Sequence, residues 1–249
     1  MKLLTLTQTS PEPVTNPGST IDSEKKRKIA VKEKKSCASC NGKCNRNPPY
    51  VIDVTRALRG ITYNQVALCP FGQRRLNAAT AHIPARFIGK TFGDYETTAD
   101  NAEAVKIARW YTATKPAKGL YLYGGTGTGK TLLASIIAQE FDGAQFVNLP
   151  ELMDDLKATF DTGGTESLLN RYAKCKLLIL DDIGAGNVTP YQQGVLYRLV
   201  NERYNADKPI IATSNDTLDT IAKTFGRRIT SRLSEMTIQT TLGFNDRRK

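Results

Sequence analysis

The run Gly124-Gly125-Thr126-Gly127-Thr128-Gly129-Lys130-Thr131 brings together the groups that handle a nucleotide's phosphates. Glycines let main-chain N–H groups close around an anion, a lysine reaches the β- and γ-phosphates, and a hydroxyl ligates Mg²⁺. Because the run fits G-x-x-x-x-G-K-[ST], the expected ATP-binding residues are Gly125, Thr126, Gly127, Thr128, Gly129, Lys130 and Thr131. Thr131 is also expected at the metal. A second set lies about 50 residues on, a usual separation for the two halves of such a site. There an apolar run, Leu177-Leu178-Ile179-Leu180, ends in Asp181-Asp182. At the C-terminal end of a buried strand, Asp181 can hold Mg²⁺ through water, and Asp182 can orient and polarise an attacking water. The next apolar run leads into Ser214-Asn215, where Asn215 can position that water or cap the following helix. Farther on, Arg232 in Arg227-Arg228-Ile229-Thr230-Ser231-Arg232-Leu233 suits transition-state charge on a neighbouring subunit's nucleotide, or a DNA-contacting patch. These residues point to hydrolysis of a phosphoanhydride. His82 is the only histidine and has no fitting partners, which argues against a Ser-His-Asp hydrolase.

Such residues need a scaffold that delivers them to one place. Five short apolar runs read as strands: Gly119–Tyr123, Gln145–Asn148, Lys176–Leu180, Pro209–Thr213 and Met236–Thr241. The first leads into the glycine loop, and Leu132-Leu133-Ala134-Ser135-Ile136-Ile137-Ala138 follows as a buried helix. Between the other strands, Leu152, Leu156 and Phe160 mark one stripe of a helix over Pro150–Phe160. Thr189 and Pro190 open a helix that buries Leu196, Leu199 and Val200. Asp216 or Thr217 caps the next helix, and Gly226 ends it. Strands alternating with helices predict an α/β fold with a parallel sheet.

The remainder of the 249 residues reads differently. Residues 1–35 have the composition of a disordered basic arm, first rich in Ser, Thr and Pro and then in Lys and Glu. Residues 36–82 hold four of the five cysteines and too few apolar side chains for a core of their own. Residues 83–249 carry the α/β pattern. The net charge is +11. Residues 23–35 and 223–249 each contribute +5, seven Lys/Arg against two acids in both segments. Such charge favours a polyanionic partner, although a solvated tail has the same composition. No apolar run approaches the roughly 18 residues of a membrane span, and Met1–Thr9 lacks the apolar core of a signal peptide. The expectation is a cytoplasmic protein with reduced cysteines and no membrane partner.

Cys37-x-x-Cys40-x-x-x-Cys44 and then Cys69-Pro70 supply four thiols for a tetrahedral zinc site, with Gly42 easing the turn. An iron–sulfur cluster is the rival occupant. His82 is the substitute ligand if Cys69 is not used. Cys175 stands apart, before a buried strand, and reads as a core thiol.

Taken together, these motifs resemble the DnaC/DnaI/IstB group of AAA+ ATPases, over about Ile83 to Arg248. The matching pieces are Ile83-Pro84-Ala85-Arg86-Phe87, Gly119-Leu120-Tyr121-Leu122-Tyr123-Gly124 and the phosphate loop. They continue with Leu178-Ile179-Leu180-Asp181-Asp182-Ile183-Gly184, Thr213-Ser214-Asn215, Arg228-Ile229-Thr230-Ser231-Arg232-Leu233 and Gly243-Phe244-Asn245-Asp246-Arg247. The resemblance implies an AAA+ three-layer sandwich on a five-stranded parallel sheet, preceded by the Cys-rich metal-binding module and the disordered arm. It makes Asn215 sensor 1 and Arg232 the arginine finger, with Arg228 as rival. It puts Asp182 where the family has a glutamate base. No helical lid follows Thr241, so Arg247 and Arg248 are the available substitutes for a lid arginine. It further implies a helicase loader for DNA replication, with ATP, Mg²⁺ and Zn²⁺ as cofactors. The cysteine module would contact the replicative DNA helicase, and subunits would self-associate through their ATP sites. Single-stranded DNA would lie along Leu149–Tyr172, with Lys157, Arg171 and Lys174 on phosphates and Phe160 stacking or in the core. The alternatives are an IstB-like transposition helper and a non-hydrolysing, nucleotide-switched adaptor.

Overall fold

The computed structural model describes residues 51–58, 61–68, 70–159, 163–184 and 188–246. The described residues open with an antiparallel hairpin, β1 (Val51–Leu58) and β2 (Ile61–Leu68), in continuous register from Val51↔Leu68 to Leu58↔Ile61. The helix α1 (Pro70–Thr80), a 3₁₀ turn (Ala85–Phe87) and α2 (Ala102–Thr114) lead into the sheet. From there strands and helices follow as β3 (Gly119–Tyr123), α3 (Lys130–Gln139), β4 (Ala144–Asn148), α4 (Leu149–Ala158), α5 (Thr165–Lys174), β5 (Leu177–Asp181) and α6 (Pro190–Asn205). The chain continues through β6 (Ile210–Ser214), α7 (Leu218–Phe225), α8 (Arg227–Met236) and β7 (Thr237–Thr241). Spatial order in the sheet is β4-β5-β6-β3-β7, every pair parallel.

Strand side chains alternate between two faces, and the two cores follow that alternation. Leu120, Leu122, Leu177, Ile179 and Ile211 pack with α2 and α3 on one side. Tyr121, Leu178, Leu180, Ile210 and Ala212 pack with α4 to α8 on the other. A parallel sheet buried on both faces needs near-continuous apolar strands, and β3, β5 and β6 are of that kind. The result is the expected helix–sheet–helix sandwich on five parallel strands.

The expected strands lie within one residue of those observed. β4 starts one residue earlier, at Ala144, while β5, β6 and β7 each start one later. Pro209 has no N–H to give a ladder, and its carbonyl accepts from Leu178 N–H at the edge of β6. Met236 closes α8 instead of opening β7. The helix expected from Pro150 begins at Leu149 with Asn148 as N-cap. Thr189 caps α6 in a reciprocal capping box with Gln192. Thr217, not Asp216, caps α7, and Gly226 ends it.

The hairpin lies in the segment read as lacking a core. Its signal was present: two β-branched runs flank Arg59-Gly60, a short connection of the kind that joins antiparallel strands. Cys37, Cys40, Cys44, Cys69, Phe160, Arg247 and Arg248 lie outside the described residues.

Candidate functional site

The glycine loop sits between the C-terminal end of β3 and the start of α3, so the first amides of α3 face a cavity of about 620 Å³. That geometry favours an anion, because the helix N-terminus carries unpaired N–H groups and partial positive charge. Gly129, the N-cap of α3, has φ +90°. A Cβ there would come within 2.9 Å of the Tyr95 hydroxyl, which donates to Thr128 O at 3.3 Å. Both the backbone turn and the neighbouring ring therefore require glycine. At the other end of the loop, Gly125 N–H donates to Gly243 O at 2.9 Å, and a Cβ on Gly125 would strike Phe244 backbone. The segment after β7 is thus laid directly on the loop. Asn245 continues this contact by donating to Asp100 at 2.9 Å.

Lys130, Thr131, Asp181, Asp182 and Asn215 converge on the cavity. The Lys130 ammonium donates to Gly124 O, Gly125 O and Asn215 Oδ1 at 2.8, 2.7 and 2.9 Å. Thr131 donates to Asp181 Oδ2 at 3.1 Å. Asp181 is buried at the end of β5. Burial pushes its carboxyl above the usual range, and the neighbouring Asp182 charge adds to that, against hydrogen bonds from Thr213 and Thr131 and the charge of Lys130. A carboxylate desolvated beside a second carboxylate and a hydroxyl fits a divalent cation. Among the described residues no group of three His, Cys, Asp or Glu side chains can hold a metal ion. A cation here would therefore need oxygens from a ligand as well, as Mg²⁺ bound with a nucleotide does.

Asp182 has φ +60°, a conformation that costs a non-glycine residue energy and concentrates at functional sites. Thr213, at the end of β6, holds this turn. Its hydroxyl donates to Asp181 Oδ1 at 2.6 Å and accepts from Asp182 N–H at 2.9 Å. Its carbonyl accepts from Ile183 N–H at 2.8 Å. Thr213 lies in the matched Thr213-Ser214-Asn215 piece but with no role of its own expected there, because that role arises from the β5–β6 pairing. Arg86 and Phe87, from the matched Ile83–Phe87 piece but with no role expected of them, also line the cavity, as does Tyr95, which lies outside the motifs.

The remaining candidates lie elsewhere. Arg232 is on α8, with its guanidinium 5.1 Å from the Tyr197 ring centroid and 5.6 Å from that of Tyr204. Arg228, one turn earlier, is exposed. Neither lines the cavity. Lys157 pairs with Asp154 on α4, Arg171 covers the Tyr172 ring on α5, and Lys174 is exposed at the end of α5. His82 is exposed. Cys175 is packed against one of the two cores. Among the described residues, no helix is long and apolar enough to cross a membrane.

Comparison with known proteins agrees with this geometry. The replicative helicase loader DnaI of Bacillus subtilis is 32% identical over 120 residues, covering 46% of this chain and 39% of DnaI. The loader DnaC of Escherichia coli K12 is 28% identical over 116 residues, covering 44% of this chain and 47% of DnaC. A putative ATP-binding protein of insertion sequence IS232 from Bacillus thuringiensis is 31% identical over 101 residues, covering 39% of this chain and 40% of its own length. The chain thus spans less than half the length of these curated relatives. Among solved structures, the DnaC helicase loader superposes with a TM-score of 0.58 at 23% identity, covering 65% of this chain and all of that one. DnaI does so with a TM-score of 0.58 at 25% identity, covering 64% and 93%. The model of the family described as IstB-like ATP binding protein matches residues 72–234, more than half of the sequence and every residue of the cavity's phosphate end. This chain belongs to that family, and is an AAA+ ATPase of the DnaC/DnaI/IstB type.

Proposed function

We propose that this protein is an ATP-dependent loader of a replicative DNA helicase, binding the helicase and single-stranded DNA and hydrolysing ATP to ADP and phosphate. The observation that carries the reading is the convergence of Lys130 on Asn215 at 2.9 Å and Thr131 on Asp181 at 3.1 Å around the loop amides. In this reading the amides of Thr126–Thr131 and the Lys130 ammonium bind the triphosphate, while the Gly125 amide, expected there too, is taken by Gly243 O. Thr131 and Asp181 hold Mg²⁺, which would neutralise charge on the β- and γ-phosphates. Asp182 orients a water toward the γ-phosphorus and takes its proton as the bond to the leaving ADP oxygen breaks. Its side chain is one methylene shorter than the family's glutamate, and the left-handed turn held by Thr213 sets where it points. Asn215 links the attacking side to Lys130. Arg232, with Arg228 as its rival, serves the next subunit's site, since neither reaches its own.

Residues 36–82 act in this reading as the helicase-docking module, between the 1–35 arm and the ATPase domain at 83–249. The hairpin register supports a shared metal. Val51 and Leu68 are partners, so the chain leading from Cys44 and the chain leading to Cys69 leave the same end of the hairpin. Zn²⁺ is the ion that four thiolates favour.

The test is a pull-down with the replicative helicase in the presence of ATP and single-stranded DNA. Co-elution that is lost on metal chelation or in Cys40→Ser establishes a loader docking through its cysteine module. DNA-stimulated ATP hydrolysis without helicase capture overturns it. That result would favour the IstB-like transposition helper, which the family description and the IS232 relative support. A transposase should then co-purify, and duplex DNA should be preferred. Nucleotide binding with no turnover under any condition would instead leave a nucleotide-switched adaptor.

A further inference from the structure

Gln139 ends the helix that begins at Lys130, and its side chain is wholly buried. Its carboxamide is fully engaged with main chain. Oε1 accepts from Gly89 N–H at 2.7 Å. Nε2 donates to Phe87 O at 3.2 Å, Lys90 O at 3.3 Å and Ser135 O at 3.1 Å. One side chain thus grips three main-chain positions of the segment that follows Pro84. Phe87 and Ile88 pack against the core only in part, and the 3₁₀ turn, Ala85–Phe87, fully buries no residue, so the main-chain position of the segment depends on these polar contacts as well. A polar clamp thus adds to a partial apolar anchoring.

The clamped segment forms part of the cavity. Arg86 and Phe87 line it, with the Arg86 guanidinium 4.6 Å from the Phe87 ring centroid. The phosphate end is accounted for by the loop, Lys130 and Asp181. Of the rest of the lining, Arg86, Phe87 and Tyr95 supply the aromatic rings and the guanidinium, groups that suit stacking on a base. The same helix therefore carries the phosphate contact at its first residue and the clamp on the base wall at its last.

We propose that Gln139 is a positioning residue that sets the base wall of the nucleotide pocket, governing how tightly the nucleoside part is held without altering the phosphate contacts. The proposal rests on the reading of the cavity as an ATP site.

Its test compares two probes on the full chain with Mg²⁺: ATP, and inorganic tripolyphosphate, which has no ribose or base. Gln139→Met keeps the volume and removes the amide. Gly89→Ala perturbs the clamp from its other side, at a residue with φ +83°, and serves if the first variant does not fold. The expected result is ATP affinity weakened about tenfold, the equivalent of one or two hydrogen bonds removed, with tripolyphosphate affinity held within about twofold. KM for ATP should rise while kcat stays near the wild-type value. Equal weakening of both probes, or unchanged ATP affinity, overturns the proposal. Failure of the wild-type chain to bind either probe strikes the ATP reading instead.

Discussion

Asp181 is a buried carboxylate whose neighbours act in opposite directions. Thr131 and Thr213 donate to it, while burial and the charge of Asp182 favour its protonated form. A carboxyl raised in the fold lends stability that is complete below the unfolded value and lost as pH rises through the folded one. Asp181→Asn removes that titration. Without nucleotide or Mg²⁺, the variant should unfold at a higher temperature than wild type at pH 7, by about 2–4 °C for each kcal/mol gained, with the gap closing toward pH 4. Adding Mg²⁺ and ATP should reverse the order, because only the wild type gains the bound cation. A thermal scan across pH checks both statements, and a gap that widens on acidification would refute the first. At this scale the sequence marked residues inside contiguous motifs: Lys130, Thr131, Asp181, Asp182 and Asn215 do meet. It gave no role to Thr213, although that residue stands two before Asn215 in a matched piece, and it did not mark Gln139. A threonine near a strand end and a glutamine near a helix end are ordinary, and their partners lie 32 and 50 residues away in sequence.

Among the elements, the strands and α6 were legible because local signals agree with tertiary demand. Apolar runs bounded by loops became buried strands, and Thr189-Pro190 marked a helix start that Gln192 completes. The junction of α5, α6 and β6 carried no such mark, since it depends on a charge placed in the interior. Arg203, on α6, is fully buried. It donates to Tyr172 O, Ala173 O and Cys175 O at the C-terminal end of α5, and to Pro209 O ahead of β6. Helix-end carbonyls have the sign to receive a cation. Burial nevertheless lowers the pKa of this guanidinium. Arg203→Met would take a charged donor from four carbonyls, of which Pro209 O keeps Leu178 N–H and Tyr172 O keeps the Cys175 thiol, and should cost about 3 kcal/mol or more in denaturant unfolding. Arg203→Lys should recover little, because a single ammonium cannot span both helix end and strand start. A Met variant within 1 kcal/mol of wild type, a threshold of about one ordinary hydrogen bond, would show that the bonds contribute little.

For the whole molecule, the charge of +11 is a property of composition, and its use depends on where the folded chain displays it. Lys157, Arg171 and Lys174 lie on consecutive helices, α4 and α5, and all three are exposed. If single-stranded DNA follows these helices, replacing all three by alanine should reduce the slope of log affinity against log salt by about 2, at roughly 0.7 for each phosphate no longer neutralised. An unchanged slope would place the DNA elsewhere. The order of the sheet has a consequence for the protein's synthesis. β3, which leads into the phosphate loop, is the first of the five strands to be made, yet its neighbours β6 and β7 are the last two. Asn215 and the 242–244 segment that rests on the loop come later still than most of the domain. At ordinary elongation rates the loop waits on the order of ten seconds between its own emergence from the ribosome and that of β7. A nascent chain stopped anywhere before Thr237 has no frame on one side of β3. The phosphate loop gains its full set of neighbours only once β7 and the 242–244 segment have been made.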